Sequence, residues 1–71
     1  MRETITIIIR GKTYKGYRVF NKRAPYYQTV YYNGKSSYDS VGYKKDQVHG
    51  SMLTVAKLML YQLAIGRNLS E

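Results

Sequence analysis

Residues 26–38, YYQTVYYNGKSSY, decide the fold, because they predict two strands joined by a tight hairpin turn. A type I′ turn needs positive φ at both central residues, and Asn33-Gly34 adopts that geometry at little cost. If Tyr32 pairs with Lys35 across the turn, the chain runs back as a strand that ends near Tyr43. We therefore expect an antiparallel hairpin here.

Side-chain alternation gives this hairpin two faces. One face holds only aromatic and hydroxyl side chains: Tyr27, Thr29, Tyr31, Ser36, Tyr38 and Ser40. The other face includes Val30 and Val41, and we interpret it as the side that packs on the core. The polar-aromatic face is then open to solvent.

The residues before this hairpin predict a second antiparallel pair of strands. Glu3 to Ile9 alternates Thr and Ile before a run of Ile, which is typical of a strand with a buried face. Gly11-Lys12 favours a type II′ turn into a strand over about Thr13 to Phe20. Residues 21–25, NKRAP, predict a loop, because proline cannot donate to a strand ladder.

The C-terminal third changes to a helical period, with an apolar stripe that suits packing on a sheet. The stripe consists of Val48, Met52, Val55, Ala56, Met59, Leu60 and Leu63. With Asp46 as the N-cap and Gly66 as the C′ residue, the helix covers about Gln47 to Ile65. In the alternative, the helix starts later, Ser51 is its N-cap and residues 44–50 form a loop.

Together these elements predict one α+β domain over residues 1–71. Its antiparallel sheet of three to four strands, in the order β-β-β-β-α, packs on one C-terminal helix. Leu58 and Tyr61 lie off the main stripe of the helix. They suggest a second contact, and a homodimer is our hypothesis for it.

The net charge of +8 belongs to one part of the chain. Residues 10–45 hold nine Lys or Arg, eight of the nine Tyr and one acid, Asp39. Clustered cations attract phosphate, and aromatic rings give bases a flat surface, so this pattern favours nucleic acid. A solvated face, or edge strands blocked by charge, is the alternative for the cations. Any single Tyr also fits a half-buried strand position without a ligand.

Composition excludes several classes of protein. With no cysteine, the chain has neither a disulfide framework nor a thiolate site, which suits a reducing compartment. No apolar run is long enough to span a bilayer, and residues 1–4, MRET, do not begin a signal peptide. We expect no membrane association and a location in the bacterial or host-cell cytoplasm.

Groups for catalysis are few. His49 is the single histidine, and the carboxylates Glu3, Asp39, Asp46 and Glu71 form no metal or acid–base motif. We therefore expect no enzyme, no metal and no cofactor.

The leading functional hypothesis is non-catalytic nucleic-acid binding, with duplex DNA slightly ahead of structured RNA. Three tyrosines of the open face would contact bases or sugars, and nine cations would contact phosphates. The set is Arg10, Lys12, Lys15, Arg18, Lys22, Arg23, Tyr27, Tyr31, Lys35, Tyr38, Lys44 and Lys45. The alternative is a small basic module that binds an acidic host protein, such as a nuclease or polymerase complex, and inhibits or redirects it. Size and charge also fit an accessory protein of a phage or mobile element.

Three short motifs and their order resemble two families of DNA-binding domain. The motifs are YKGYR at residues 14–18, NGK at 33–35 and GY at 42–43, followed by an Ala- and Leu-bearing helix. They are similar to the plant ethylene-response-factor domain and to the arm-binding N-terminal domain of tyrosine recombinases. Over about Tyr14 to Leu63, the resemblance implies a three-stranded sheet in the major groove with the helix behind it.

The same resemblance implies which residues meet DNA. It places Arg18 and the strand from Tyr26 to Tyr32 against the duplex. This chain differs from those families in having no Trp and in adding an isoleucine-rich strand in front. Lys44-Lys45 before a long final helix also resembles the double-stranded RNA-binding domain, although that domain opens with a helix.

Overall fold

A computed structural model describes residues 1–66, and it has four antiparallel strands in one sheet with a single helix against one face. The strands follow chain order across the sheet, so β1 and β4 are its edges. The elements are β1 Arg2–Ile9, β2 Lys12–Phe20, β3 Tyr26–Tyr32, β4 Lys35–Tyr43, a 3-10 helix Lys45–Gln47 and α1 Ser51–Ile65. The predicted α+β class and element order are confirmed.

Both hairpins turn through two residues with positive φ. Asn33 and Gly34 have φ of 47° and 80°, as the type I′ prediction requires, and Tyr32 pairs with Lys35. The first hairpin turns through Arg10 and Gly11, with φ of 51° and 78°. The predicted turn was therefore one residue late: glycine takes the second central position, as it does in Asn33-Gly34, and β2 begins at Lys12.

Strand direction alternates along the sheet, so its two ends differ. Both hairpin turns lie at one end, which we call the turn end. The β2–β3 loop and the end of β4 lie at the other, which we call the loop end. Side chains near these segments are separated by the length of the strands, roughly 25 Å for seven to nine residues.

The core lies between the sheet and α1. Its buried apolar residues form one cluster of Ile5, Val30, Ala56, Met59 and Leu60 and another of Phe20, Tyr43, Val48 and Met52. Val30 is buried, as predicted. The prediction for Val41 was wrong, because its side chain is 70% exposed.

An irregularity in β4 explains the exposure of Val41. Asp39 pairs with Gln28, and Tyr43 pairs with Tyr26. Between these two pairs β4 advances by four residues while β3 advances by only two. Gly42 has a φ of 78° within this stretch. Such a bulge rotates the strand, and Tyr43 takes the core position that strict alternation gives to Val41.

The main prediction of a helix from Gln47 was wrong, and α1 begins at Ser51, near the later alternative. Residues 45–47 form a 3-10 helix where that alternative predicted a loop. Ser51 is the first residue of α1 and not its predicted cap. The N-cap is Gly50, with no side-chain cap, and Asp46 lies in the preceding 3-10 helix. The predicted end is confirmed, since Gly66 has a left-handed φ of 68° and donates its N–H to the Gln62 carbonyl at 2.9 Å.

Gly16 of β2 lies against Leu60 of α1 with no room for a Cβ, and we predict that Gly16→Ala is destabilising. A Cβ there would lie 2.7 Å from Leu60 Cδ1 and would overlap the Tyr31 carbonyl oxygen. Overpacking of this kind costs about 1–3 kcal/mol of unfolding free energy. Urea denaturation measures the loss, with Ser40→Ala on the exposed side of β4 as the control. Equal stability of the two variants would contradict the predicted clash.

Candidate functional site

The sheet face opposite α1, which we call the open face, collects the tyrosines predicted to lie together. Cross-strand partners share a face, so the register places Tyr31 and Tyr38 on it, and alternation along β3 adds Tyr27. The full open face consists of Arg2, Thr4, Thr6, Ile8, Thr13, Lys15, Tyr17, Val19, Tyr27, Thr29, Tyr31, Ser36, Tyr38 and Ser40. Its chemistry is mainly aromatic, hydroxyl-bearing and cationic, with exposed apolar side chains at Ile8 and Val19.

Three of these side chains form an ordered stack across the strands. The rings of Tyr17 and Tyr31 stack with centroids 4.9 Å apart and planes 14° from parallel. The Arg2 guanidinium carbon lies 3.9 Å from the centroid of the Tyr17 ring. Since β1 and β3 flank β2 on opposite sides, Arg2 and Tyr31 cover the two sides of that ring. The centroid spacing matches the distance between strands, so these rings stand on edge on the sheet.

Sequence reasoning missed Arg2 and Tyr17 as members of this site. Charge counted along the chain offsets Arg2 against the acids outside residues 10–45, and Tyr17 enters only through the resemblance. The signal that could have found them is the first hairpin. With its turn at Arg10-Gly11, Tyr17 pairs with Thr4 and Arg2 pairs with Val19, all on the open face.

No acid lies on the open face within residues 1–66. Glu3 pairs with Arg18, and Asp39 pairs with Gln28, so both carboxylates belong to the face under α1. Asp46 lies in the 3-10 helix. The exposed charge of the open face is therefore positive, from Arg2 and Lys15.

Arg18 was predicted to contact phosphate, and that prediction is wrong because the side chain is 0% exposed. Its Nε and Nη2 donate to Glu3 Oε1 at 2.9 and 2.6 Å. Nη1 donates to Gln28 Oε1 at 3.2 Å, and Nη2 also donates to the Val48 carbonyl at 2.9 Å. The guanidinium lies over the Phe20 ring, 4.7 Å from its centroid. Arg18 is a structural residue that ties β1, β3 and the segment before α1 together.

A second buried group extends this polar network. Gln28 Nε2 donates to Asp39 Oδ2 at 3.0 Å and to the Met52 carbonyl at 2.8 Å. The Tyr43 hydroxyl donates to Asp39 Oδ2 at 2.7 Å. Burial, together with the hydrogen bond and charge of Asp39, raises the pKa of Tyr43 to about 12. Tyr43 therefore stays a hydrogen-bond donor and is part of the core.

The other eight predicted cations are exposed, but they do not converge on one face as predicted. Only Lys15 lies on the open face. Three lie near the turn end, namely Arg10, Lys12 and Lys35, and four lie near the loop end, namely Lys22, Arg23, Lys44 and Lys45. Several of the end cations border the helix side of the sheet, since Arg10 and Lys12 line a pocket with Tyr61 of α1, and Lys22 and Lys45 line one with Val48.

His49 is exposed, and its Nε2 lies 3.2 Å from Glu3 Oε2. Among residues 1–66, no three His, Cys, Asp or Glu side chains come together as a metal site. The helix of the described chain is too short to cross a membrane.

Leu58 and Tyr61, the residues of the predicted homodimer, line a groove between α1 and β1. Its other lining residues include Ile7, Ile8 and Ile9. Leu58 and Ile8 are exposed there. The homodimer stays a prediction.

We predict that replacing Arg18 affects stability before it affects binding. Arg18→Met removes the donor to Gln28 and Val48 and leaves Glu3 without its main partner. Glu3 is 35% exposed and keeps access to water, but the buried Gln28 and Val48 oxygens lose their donor, at a cost of about 1–3 kcal/mol each. That is a large part of the stability of so small a domain. Circular dichroism with urea measures this, with Lys15→Met on the same strand as the control. A stable Arg18→Met protein would contradict the structural role.

The stability of the domain should fall in acid through Glu3. Burial by itself would raise the pKa of this carboxyl, but the hydrogen bond and charge of Arg18, aided by His49, lower it below its ordinary value of 4.5. Because the pKa of Glu3 is lower in the folded state than in the unfolded state, ionised Glu3 stabilises the fold at pH values above its unfolded-state pKa. That stabilisation is lost as the pH falls through its folded-state pKa. Urea midpoints measured below pH 4.5 should therefore drop, and they should drop less in Glu3→Gln. Identical profiles for both proteins would show that Glu3 carries no such linkage.

No protein-family model, curated protein or solved structure matches this chain. The resemblance to the three-stranded-sheet DNA-binding domains therefore stays a prediction. The geometry of the open face is the remaining basis for assigning a function to this protein.

Proposed function

We propose that this protein binds nucleic acid without catalysis, through the open face of its sheet. The observation that carries the proposal is a face without acids in the described chain, on which an Arg2–Tyr17–Tyr31 stack is already ordered. Ordered rings lose little conformational entropy on binding, so contacts to them favour affinity.

The distribution of charge favours a polymer over a mononucleotide. Lys22 and Arg23 near the loop end and Arg10 near the turn end are separated by the length of the strands. That distance, roughly 25 Å, spans several phosphates at 3.4 Å per step of duplex. A phosphate backbone that lies along the open face would meet Arg2 and Lys15 there, and it would reach the end cations where it passes around the ends of the strands.

The cations position a ligand, and the face itself carries little that reads sequence. Phosphate contacts fix register, whereas specificity needs contacts to base edges. The hydroxyls of Thr and Ser can donate or accept a hydrogen bond and therefore do not distinguish one base from another, so we expect weak sequence preference. Duplex DNA and structured RNA are the two ligands that the sequence favours, and both belong in the test.

The proposal predicts binding that weakens steeply with salt. If about six phosphates are neutralised, log affinity for duplex DNA falls against log salt with a slope near −5. Fluorescence anisotropy with labelled duplex DNA, single-stranded DNA and tRNA at several salt concentrations measures the slope. Binding that is absent, or indifferent to salt, would overturn the proposal.

A matched pair of lysines locates the surface. Lys15→Gln removes one charge from the open face, and Lys57→Gln removes one from the exposed side of α1. Loss of one phosphate contact should reduce the magnitude of the salt slope by about 1, so Lys15→Gln should reduce it and Lys57→Gln should not. Equal effects would mean that net charge, and not this face, governs binding. A partner protein that survives nuclease digestion in a pull-down would instead support the acidic-protein alternative.

A further inference from the structure

The stack on the open face stops one strand short of the sheet edge. Arg2 comes from β1, Tyr17 from β2 and Tyr31 from β3. The residue of β4 that pairs with Tyr31 is Ser36, which is exposed and too short to cover a phenol ring. One side of the Tyr31 ring is therefore covered by Tyr17, and in residues 1–66 no second ring stacks on the other side.

The space above Ser36, beside the Tyr31 ring, is wide enough for one more flat ring in the stack. Tyr17 and Tyr31 stand on edge with centroids 4.9 Å apart, close to the strand spacing. A flat group above β4 would continue the same spacing. Tyr38, which is 62% exposed and pairs with Thr29, lies beside this place on the same face. Because β4 is an edge strand, the place is also open from the side.

We propose that this place, formed by Tyr31, Ser36 and Tyr38, binds an unpaired nucleic-acid base stacked on the outer side of the Tyr31 ring. The inference rests on the proposed function and names its ligand as single-stranded DNA or RNA, or an unpaired loop. It departs from the sequence-based preference for duplex DNA.

The orientation of the rings is what selects against a duplex. A paired base already has neighbours on both of its faces, so it cannot stand beside Tyr31 without leaving the helix. Stacking one base on a ring is worth roughly five- to 150-fold in affinity. Extracting a base from an intact duplex costs a comparable factor, whereas a single strand avoids that cost. We therefore expect single strands to bind at least about tenfold more tightly than the same sequence as a duplex, at equal salt.

The test fills the proposed place with a side chain. Ser36→Tyr should add its own ring to the stack and exclude a base, and Tyr suits an exposed strand position. Thr54→Tyr adds the same ring on the exposed side of α1, across the sheet from Ser36 and off the open face, and serves as the control. The probe is a ten-nucleotide single strand with one 2-aminopurine, whose fluorescence is quenched when the base stacks.

We expect quenching and tight single-strand binding for the unmodified protein and for Thr54→Tyr. Ser36→Tyr should lose the quenching and about tenfold in single-strand affinity, with its salt slope unchanged, because the phosphate contacts remain. Thermal unfolding shows whether the variant folds. If it does not fold, Tyr31→Leu decides the question, since it removes the ring and should produce the same losses.

The outcomes separate this inference from the function on which it rests. Salt-dependent binding with a duplex equal to or better than a single strand, and with Ser36→Tyr unaffected, would overturn the unpaired-base site and leave nucleic-acid binding in place. No binding of any nucleic acid would overturn both.

Discussion

The buried guanidinium of Arg18 is the constraint on which the rest of the structure depends. A fully desolvated cation is tolerable only if most of its donors are satisfied, and here Glu3, Gln28 and the Val48 carbonyl accept from it. These acceptors come from β1, β3 and the segment before α1, so the network fixes where the helix approaches the sheet. Gln28 extends it to Met52 at the start of the helix.

This core network also determines the electrostatics of the opposite face. Glu3 and Asp39 are the two acids of the sheet, and both point toward the helix side, where Arg18, Gln28 and Tyr43 are their partners. Strand alternation then leaves the open face with hydroxyls, rings and cations. The buried polar network beside the apolar core and the positive charge of the open face are thus two consequences of one strand register.

The central hairpin could be predicted because its signals are local. Asn33-Gly34 fixes the turn, the turn fixes the register, and the register puts Tyr27, Tyr31 and Tyr38 on one face. Predictions failed where contacts between residues distant in sequence, or an irregularity in strand pairing, overrode the local sequence pattern. Val41 fits the alternation of β4, but a bulge around Gly42 rotates it outward. Arg18 fits a basic cluster by composition, but acceptors 10, 15 and 30 residues away in sequence hold it in the core.

The sequence by itself determined the α+β class, the order of strands and helix, and the aromatic character of the open face, because turns and side-chain periodicity act over a few residues. Only the tertiary structure decided which charged side chains are exposed to a ligand and on which part of the surface they lie. It buried Arg18, divided the remaining cations between the turn end and the loop end, and brought Arg2 onto Tyr17. Those outcomes depend on pairing between strands and on helix docking, so charge counted along the chain could not reveal them.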